Sequence, residues 1–314
     1  MEQENQKWIA GFWRRIGALV IDALVLGVVG LALGLAFETL FVQMGGWGRL
    51  VGFAISLVYF GVMNSSVANG QTFGKKLLTI RVVNSSNNTI SLLRSLARYT
   101  ILAAPISLNG AMITNDALLS YLLYPLSIII FGGLLSTIYL YVFNRTTRQS
   151  LHDLIVGTYV VNAAAPQQEL HSVWRVHLIV VAVLVIASAI APIFTKNLAQ
   201  QEPFKDLLST QIALMEYSVV RHAGLSVGSS TTMNTNDGAK TTTYLNARVF
   251  ILEKNVDDVE LARNLAKVVM ANYTDAKDKN VIQVTLTYGY DIGIWSRWFN
   301  HTHAFKPADL QVAE

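Results

Sequence analysis

From Ile16 to Phe37 the chain runs 22 residues with one charge, Asp22. At 1.5 Å per residue, a helix of that length reaches about 33 Å, enough to cross the hydrocarbon core of a bilayer. A run this long and apolar predicts a membrane span before any other feature is weighed. It also sets a problem. A charged carboxylate at bilayer depth costs several kcal/mol, so Asp22 must be paired, protonated or turned toward water.

Four more segments read the same way: 51–68, 99–115 with Pro105 and Gly110 inside it, 117–143 with Pro125 allowing a kink, and 176–194 with Trp174 at its interfacial end. The chain as a whole is 14% charged and 52% hydrophobic, against about 25% charge in an average soluble domain. Basic residues orient the spans. Lys7, Arg14 and Arg15 precede the first. Lys75, Lys76, Arg81, Arg94 and Arg98 lie between the second and third, and Arg145, Arg148 and Arg175 between the fourth and fifth; Arg49 alone falls in a loop of the opposite class. The positive-inside rule then predicts five spans, a cytoplasmic N-terminus and an outward C-terminus. A re-entrant third segment is the alternative. The first span is too long for the apolar core of a cleaved signal peptide. Trp8, Trp13 and Trp47 flank spans and read as interface anchors.

The loop 69–98 is patterned. Gly70 and Gly74 precede Lys75 and Lys76, then Ile80–Val83 reads as a short strand and Ser85–Asn88 as a turn. The lysines reach for anionic headgroups at about 1 kcal/mol each; the glycine spacing is one residue short of a phosphate loop. Ser91 caps a short helix that carries Arg94 and Arg98 on one face. Val156–Asn162 is a second β-rich run on the same side, able to pair with the first as a ribbon. His152 and Asp153 precede it, at a polar helix start capped by Ser150 or Asp153.

Three stretches together, GFWRRIGALVID (residues 11–22), GQTFGKKLLTIRVV (70–83) and RQSLHDLIVGTYVV (148–161), resemble the RDD family of bacterial membrane proteins. That family takes its name from one arginine and two aspartates, which the resemblance places at Arg15, Asp22 and Asp153. It implies a multi-pass membrane fold over roughly residues 8–162 and little chemistry. Some members are thought to act in transport, including sodium/proton exchange.

The domain reading is therefore a membrane domain over 1–162, a linker and fifth span over 163–202, and an extracytoplasmic α+β domain over 203–314. In the last, a helix (203–220), two strands (225–232 and 241–252) joined by the hairpin signal NTNDG (234–238), a helix to Asn272 and the alternating strand Val281–Tyr290 predict an antiparallel sheet. WSRWF (295–299) is core, or an aromatic patch for the outer leaflet. The setting is a bacterial inner (cytoplasmic) membrane.

Arg15 and Asp22 are seven residues apart, so they share a helix face, but about 10 Å of rise is too far for an easy ion pair. Asp22 needs a partner from another segment, and Arg98, Arg148 and His152 are the candidates. Two roles compete. In one, Arg15, Asp22 and Asp153 form a buried network that fixes packing. In the other, Asp22 takes up H+ or Na+ in cation/proton or solute transport. A third, of a different class, is a membrane-anchored scaffold or sensor whose outer domain binds a protein partner. The partners implied are the bilayer, a second copy or another membrane protein, and Na+ or H+ in the transport reading.

Other classes find no footing. There is no cysteine, which removes disulfides, thiolate catalysis and cysteine-bound zinc. His301 and His303 lack a third ligand, so no metal is assigned. No nucleophile elbow, HExxH or dinucleotide fingerprint appears, so neither an enzyme nor a cofactor is expected. Nor is nucleic acid, because the net charge of +4 comes from the basic loops between the spans.

Overall fold

The computed structural model describes residues 7–110, 116–234 and 238–310. In chain order its elements are α1 (Phe12–Ala36), α2 (Glu38–Met44), α3 (Arg49–Met63), α4 (Phe73–Leu77), β1 (Ile80–Asn84), α5 (Leu92–Leu108), α6 (Asp116–Ser127), α7 (Gly133–Phe143), α8 (Leu151–Val156), β2 (Thr158–Asn162), α9 (Arg175–Ala199), α10 (Phe204–Met215), β3 (Val220–Asn234), β4 (Gly238–Ile251), α11 (Val259–Asn272), β5 (Val281–Asp291) and β6 (Ser296–Phe305). They form two compact units. The first holds the described residues of 1–36, 46–193 and 291–296; the second holds those of 37–45, 194–290 and 297–314.

Among the described residues, four stretches of helix are long and apolar enough to cross a membrane: Phe12–Ala36, Glu38–Met63, Tyr121–Phe143 and Arg175–Leu198. On α1 the residues that turn inward are Arg15, Ala18, Asp22, Leu26, Gly30 and Gly34, three or four apart, as a single helical stripe requires. Leu24, Val28 and Leu35, off the stripe, are 67, 69 and 66% exposed, an apolar face left largely open by the described residues.

The third expected span differs in its start. Instead of a short helix followed by a separate span, α5 runs without a break from Leu92 to Leu108. Arg94 and Arg98 do not end the apolar helix because both find acceptors on the α8–β2 segment. Residues 111–115 of the expected span lie outside the described residues. Ser91 accepts from the Arg94 amide at 3.3 Å and caps α5. Around Pro125 the expected kink takes the form of a wide turn, Ile128–Gly132, between α6 and α7; proline's missing donor leaves the helical ladder incomplete there.

β1 and β2 pair antiparallel, from Ile80 opposite Asn162 to Asn84 opposite Thr158. Ile9 bridges to Val161. A small core of Ala10, Ala18, Ile80, Val82, Ile90 and Val160 lies beneath. Trp8 is not an interface anchor. It is 1% exposed and packs with Val83, Val161 and Ala165, because the ribbon offers its ring an apolar seat. Trp13 and Trp47 are 79 and 41% exposed.

In the second unit the sheet order is β3-β4-β5-β6. The sheet is mixed rather than antiparallel: β3 and β4 form a hairpin, but β4 and β5 run parallel, since the intervening α11 returns the chain to the starting edge. Residues 235–237 of the hairpin signal lie outside the described residues. Asp258 caps α11 by accepting from the Leu261 amide at 2.8 Å, and Ala262, Leu265, Ala266 and Val269 form its buried face. The fourth strand, β6, takes up most of the WSRWF stretch, with Trp298 edge-on to Phe250 at 5.7 Å.

Candidate functional site

The inward stripe of α1 meets two carboxylate sites in the first unit. The first is centred on Asp153, fully buried in the opening turn of α8. Its Oδ2 accepts from Arg15 Nη2 at 2.8 Å. Its Oδ1 accepts from Arg98 Nη2 at 2.7 Å, from Arg98 Nε at 2.9 Å and from the Thr158 hydroxyl at 2.9 Å. Arg15 is 9% and Arg98 6% exposed. One anion thus joins α1, α5, α8 and β2. Ser150 precedes α8 without capping it through its side chain; its hydroxyl donates to the Thr137 carbonyl at 3.0 Å.

Electrostatics follows from this geometry. Burial alone would raise the Asp153 carboxyl, but the guanidinium of Arg98, joined by that of Arg15, outweighs it and holds the group well below the usual carboxylate range. His152, also buried, is pushed down to about 3 by burial and by Arg98 despite the opposing pull of Asp153. It is therefore neutral at pH 7, and its 3.4 Å approach to Asp153 is no ion pair. Arg98 Nη2 lies 3.1 Å from His152 Nε2. Only donors sit on that guanidinium, so Nε2 accepts and the ring proton is on Nδ1.

The second site is Asp22, also fully buried. Its Oδ1 accepts from the Tyr59 hydroxyl at 2.7 Å and from the Gly74 amide at 2.8 Å. Its Oδ2 accepts from the Thr72 hydroxyl at 2.6 Å. Thr72 also caps α4, accepting from the Lys75 amide at 3.2 Å. The expected partners of Asp22 are thus replaced. Arg98 and His152 face Asp153, and Arg148 enters through its backbone, whose carbonyl accepts from Arg15 Nη1. Three neutral donors serve the buried carboxylate at less desolvation cost than a second buried ion. They are reachable because Gly74 lies against α1: a Cβ there would run into the Ala18 carbonyl.

Against Asp22 lies a cavity of about 280 Å³ whose lining includes Arg15, Asp22, Lys75, Arg98 and His152. The two lysines of the loop part company. Lys76 is exposed, while Lys75 is half-buried, with its ammonium 5.8 Å from the Phe60 ring centre. Burial and the repulsion of Arg98 push Lys75 down to about 7. Of the expected site residues, Arg15, Arg98, His152 and Asp153 stand together, with the Arg148 carbonyl. Asp22 and Lys75 share the cavity, and Lys76 stands apart. Tyr59, Thr72, Gly74 and Thr158 were not foreseen; only GQTFG, with its two glycines, hinted at a close backbone approach.

Comparison with known proteins gives a consistent answer. The RDD family model matches residues 9–157. The uncharacterized protein YckC of Bacillus subtilis (strain 168) is 28% identical over 166 residues, which cover 52% of this chain and 91% of that protein. No solved structure matches.

Proposed function

Since residues 9–157 are of the RDD family, we propose that this region is a multi-pass membrane module whose Arg15, Asp22 and Asp153 set its architecture. Asp153 clamps α1 and α5 to α8, and Asp22 seats α4 on α1. Saturation carries this reading: every carboxylate oxygen of Asp22 and Asp153 already accepts from a protein donor. The cations that line the cavity, Arg15, Lys75 and Arg98, also disfavour entry of another. In reconstituted vesicles, Asp22→Asn is expected to leave any proton-coupled Na+ flux as it is in the native chain. A flux that is present natively and lost in that variant would replace this reading with cation/proton transport.

A second reading, a membrane-anchored scaffold or sensor, is favoured by the second unit, a mixed sheet with its own helices that packing within the membrane does not need. It goes with five spans, counting α5, in a bacterial inner membrane with residues 203–314 outside. The ion pair of Arg49 with Asp291 at 2.8 Å, within the first unit, supports one side for those two residues. A membrane-impermeant cross-linker on intact cells is expected to trap a partner on the full chain and none on a chain lacking 203–314. The same products from both would end this reading.

A further inference from the structure

We propose that the cavity lined by Asp22, Lys75 and His152 binds the headgroup of an anionic phospholipid, one that carries a hydroxyl beside its phosphate, with the acyl chains leaving between α1 and α7 into the surrounding lipid. This stands whether or not the two aspartates are architectural.

Unmet hydrogen-bonding capacity is the first observation. Asn64 Oδ1, Thr137 Oγ1 and His152 Nδ1 are buried and have no partner among the described residues, and all three residues line this one cavity. Buried polar atoms are normally satisfied, and leaving one unpaired costs about 1–3 kcal/mol. Three around a single space mark the outline of a ligand. Nδ1 of His152 carries its proton, so it donates. Thr137 donates or accepts. Asn64 Oδ1 needs a donor from the ligand, which a headgroup hydroxyl supplies and a bare phosphate diester does not.

Charge is the second. Arg15, Lys75 and Arg98 line the cavity with Asp22, and Asp153 pairs with the two arginines from outside that lining, three cations against two anions. The arginines are committed to Asp153. No carboxylate among the described residues lies within ion-pair distance of the Lys75 ammonium, and burial and the repulsion of Arg98 push it down. A phosphate there would pair with that ammonium and accept from Lys75, His152 and Thr137 together, as charge-assisted hydrogen bonds.

The wall is the third. Leu19 on α1 and Ile138 and Val142 on α7 line the same space, yet are 49, 52 and 45% exposed. They belong to the outward apolar surface, so the cavity opens toward lipid and not only toward water. A free anion would have no use for that side; an amphiphile has.

The test uses the full chain in uncharged detergent, depleted of lipid. Phosphatidylglycerol, phosphatidylcholine with the same chains, and inorganic phosphate are titrated in turn. Retained lipid is counted by native mass spectrometry, and the thermal midpoint is followed. One phosphatidylglycerol is expected to be held at least about tenfold more tightly than phosphatidylcholine. Lys75→Gln is expected to remove that preference, while Lys76→Gln, one residue away and of the same charge, changes it less than about twofold. Thr137→Val, which removes an unpaired hydroxyl at nearly constant volume, weakens phosphatidylglycerol by about threefold or more, and keeps the test open if Lys75→Gln does not fold. Equal retention of the two lipids overturns the proposal. So does a Lys76→Gln effect as large as that of Lys75→Gln, or stabilisation by inorganic phosphate equal to that by phosphatidylglycerol.

Discussion

Asp153→Asn is expected to lower the unfolding free energy by about 3–5 kcal/mol, because it strands two guanidiniums in a place they cannot leave. Arg15 and Arg98 are 9 and 6% exposed, and Asp153 is the carboxylate to which both donate. The amide keeps one acceptor and no charge, and its NH₂ group points a donor at a donor. The measurement is thermal unfolding of the full chain in detergent, with folded yield as a second reading. The same logic makes a counterintuitive comparison. Replacing the whole cluster, Arg15→Leu with Arg98→Met and Asp153→Leu, is expected to cost less than the single change, since no charge of the cluster is then left buried without its partner. If the triple variant is the less stable of the two, stranded charge is not what holds this site.

Acid should reach the same cluster by two routes of one sign. Asp153 is held below its ordinary value of 3.8, so its contribution is complete above about pH 4 and fades as pH falls further. His152 is held near 3, against an ordinary 6.5. It stays neutral in the fold while the unfolded chain takes up a proton, so stability falls as pH drops from 6.5 toward 3. Above pH 7 neither group contributes a slope.

Gly74→Ala is the other large effect expected. The added methyl meets the Ala18 carbonyl, which is backbone and cannot rotate away. To make room, α4 must back off α1, and Asp22 then loses the Gly74 amide and the Thr72 hydroxyl together. Overpacking costs about 1–3 kcal/mol and each donor taken from a buried carboxylate a similar amount, so a loss of about 3–5 kcal/mol is expected by thermal unfolding. Gly11→Ala is the control: a Cβ there meets nothing within 4 Å and should shift stability by less than about 0.5 kcal/mol. Equal losses in the two variants would remove the close approach of α4 to α1 as the cause.

How far the site could be read without coordinates depends on the kind of interaction. Arg15 and Asp22 share the buried stripe of α1, as a seven-residue spacing on one helix demands. Their partners did not follow the same way. Charge seeks charge in a sequence reading, so Asp22 was matched to arginines, whereas its donors are a phenol, a hydroxyl and an amide. Such groups are too common along a chain to stand out. Arg98 ends up inside α5 for a related reason: a basic residue looks like the end of an apolar helix unless Asp153, 55 positions later, is known to be waiting. β6 was missed because SRWFNHTHAF (Ser296–Phe305) lacks an apolar alternation, its aromatic rings being shared between faces. The sheet's parallel pair was missed because α11 reads the same whether it turns the chain back or carries it across.

The salt bridge that closes the first site spans 138 positions of chain, and the seat of Asp22 spans 52. At a synthesis rate of about 5–20 residues per second, Arg15 waits roughly 7 to 28 s between leaving the ribosome and meeting its counterion. For that interval the opening helix must be accommodated with an unpaired guanidinium near its start, and for the earlier part of it with a carboxylate about two-fifths of the way along that still lacks its donors. Insertion of this helix must therefore be provisional, completed only when translation delivers the later loops, and a chain stalled before codon 153 should be a ready target for membrane quality control.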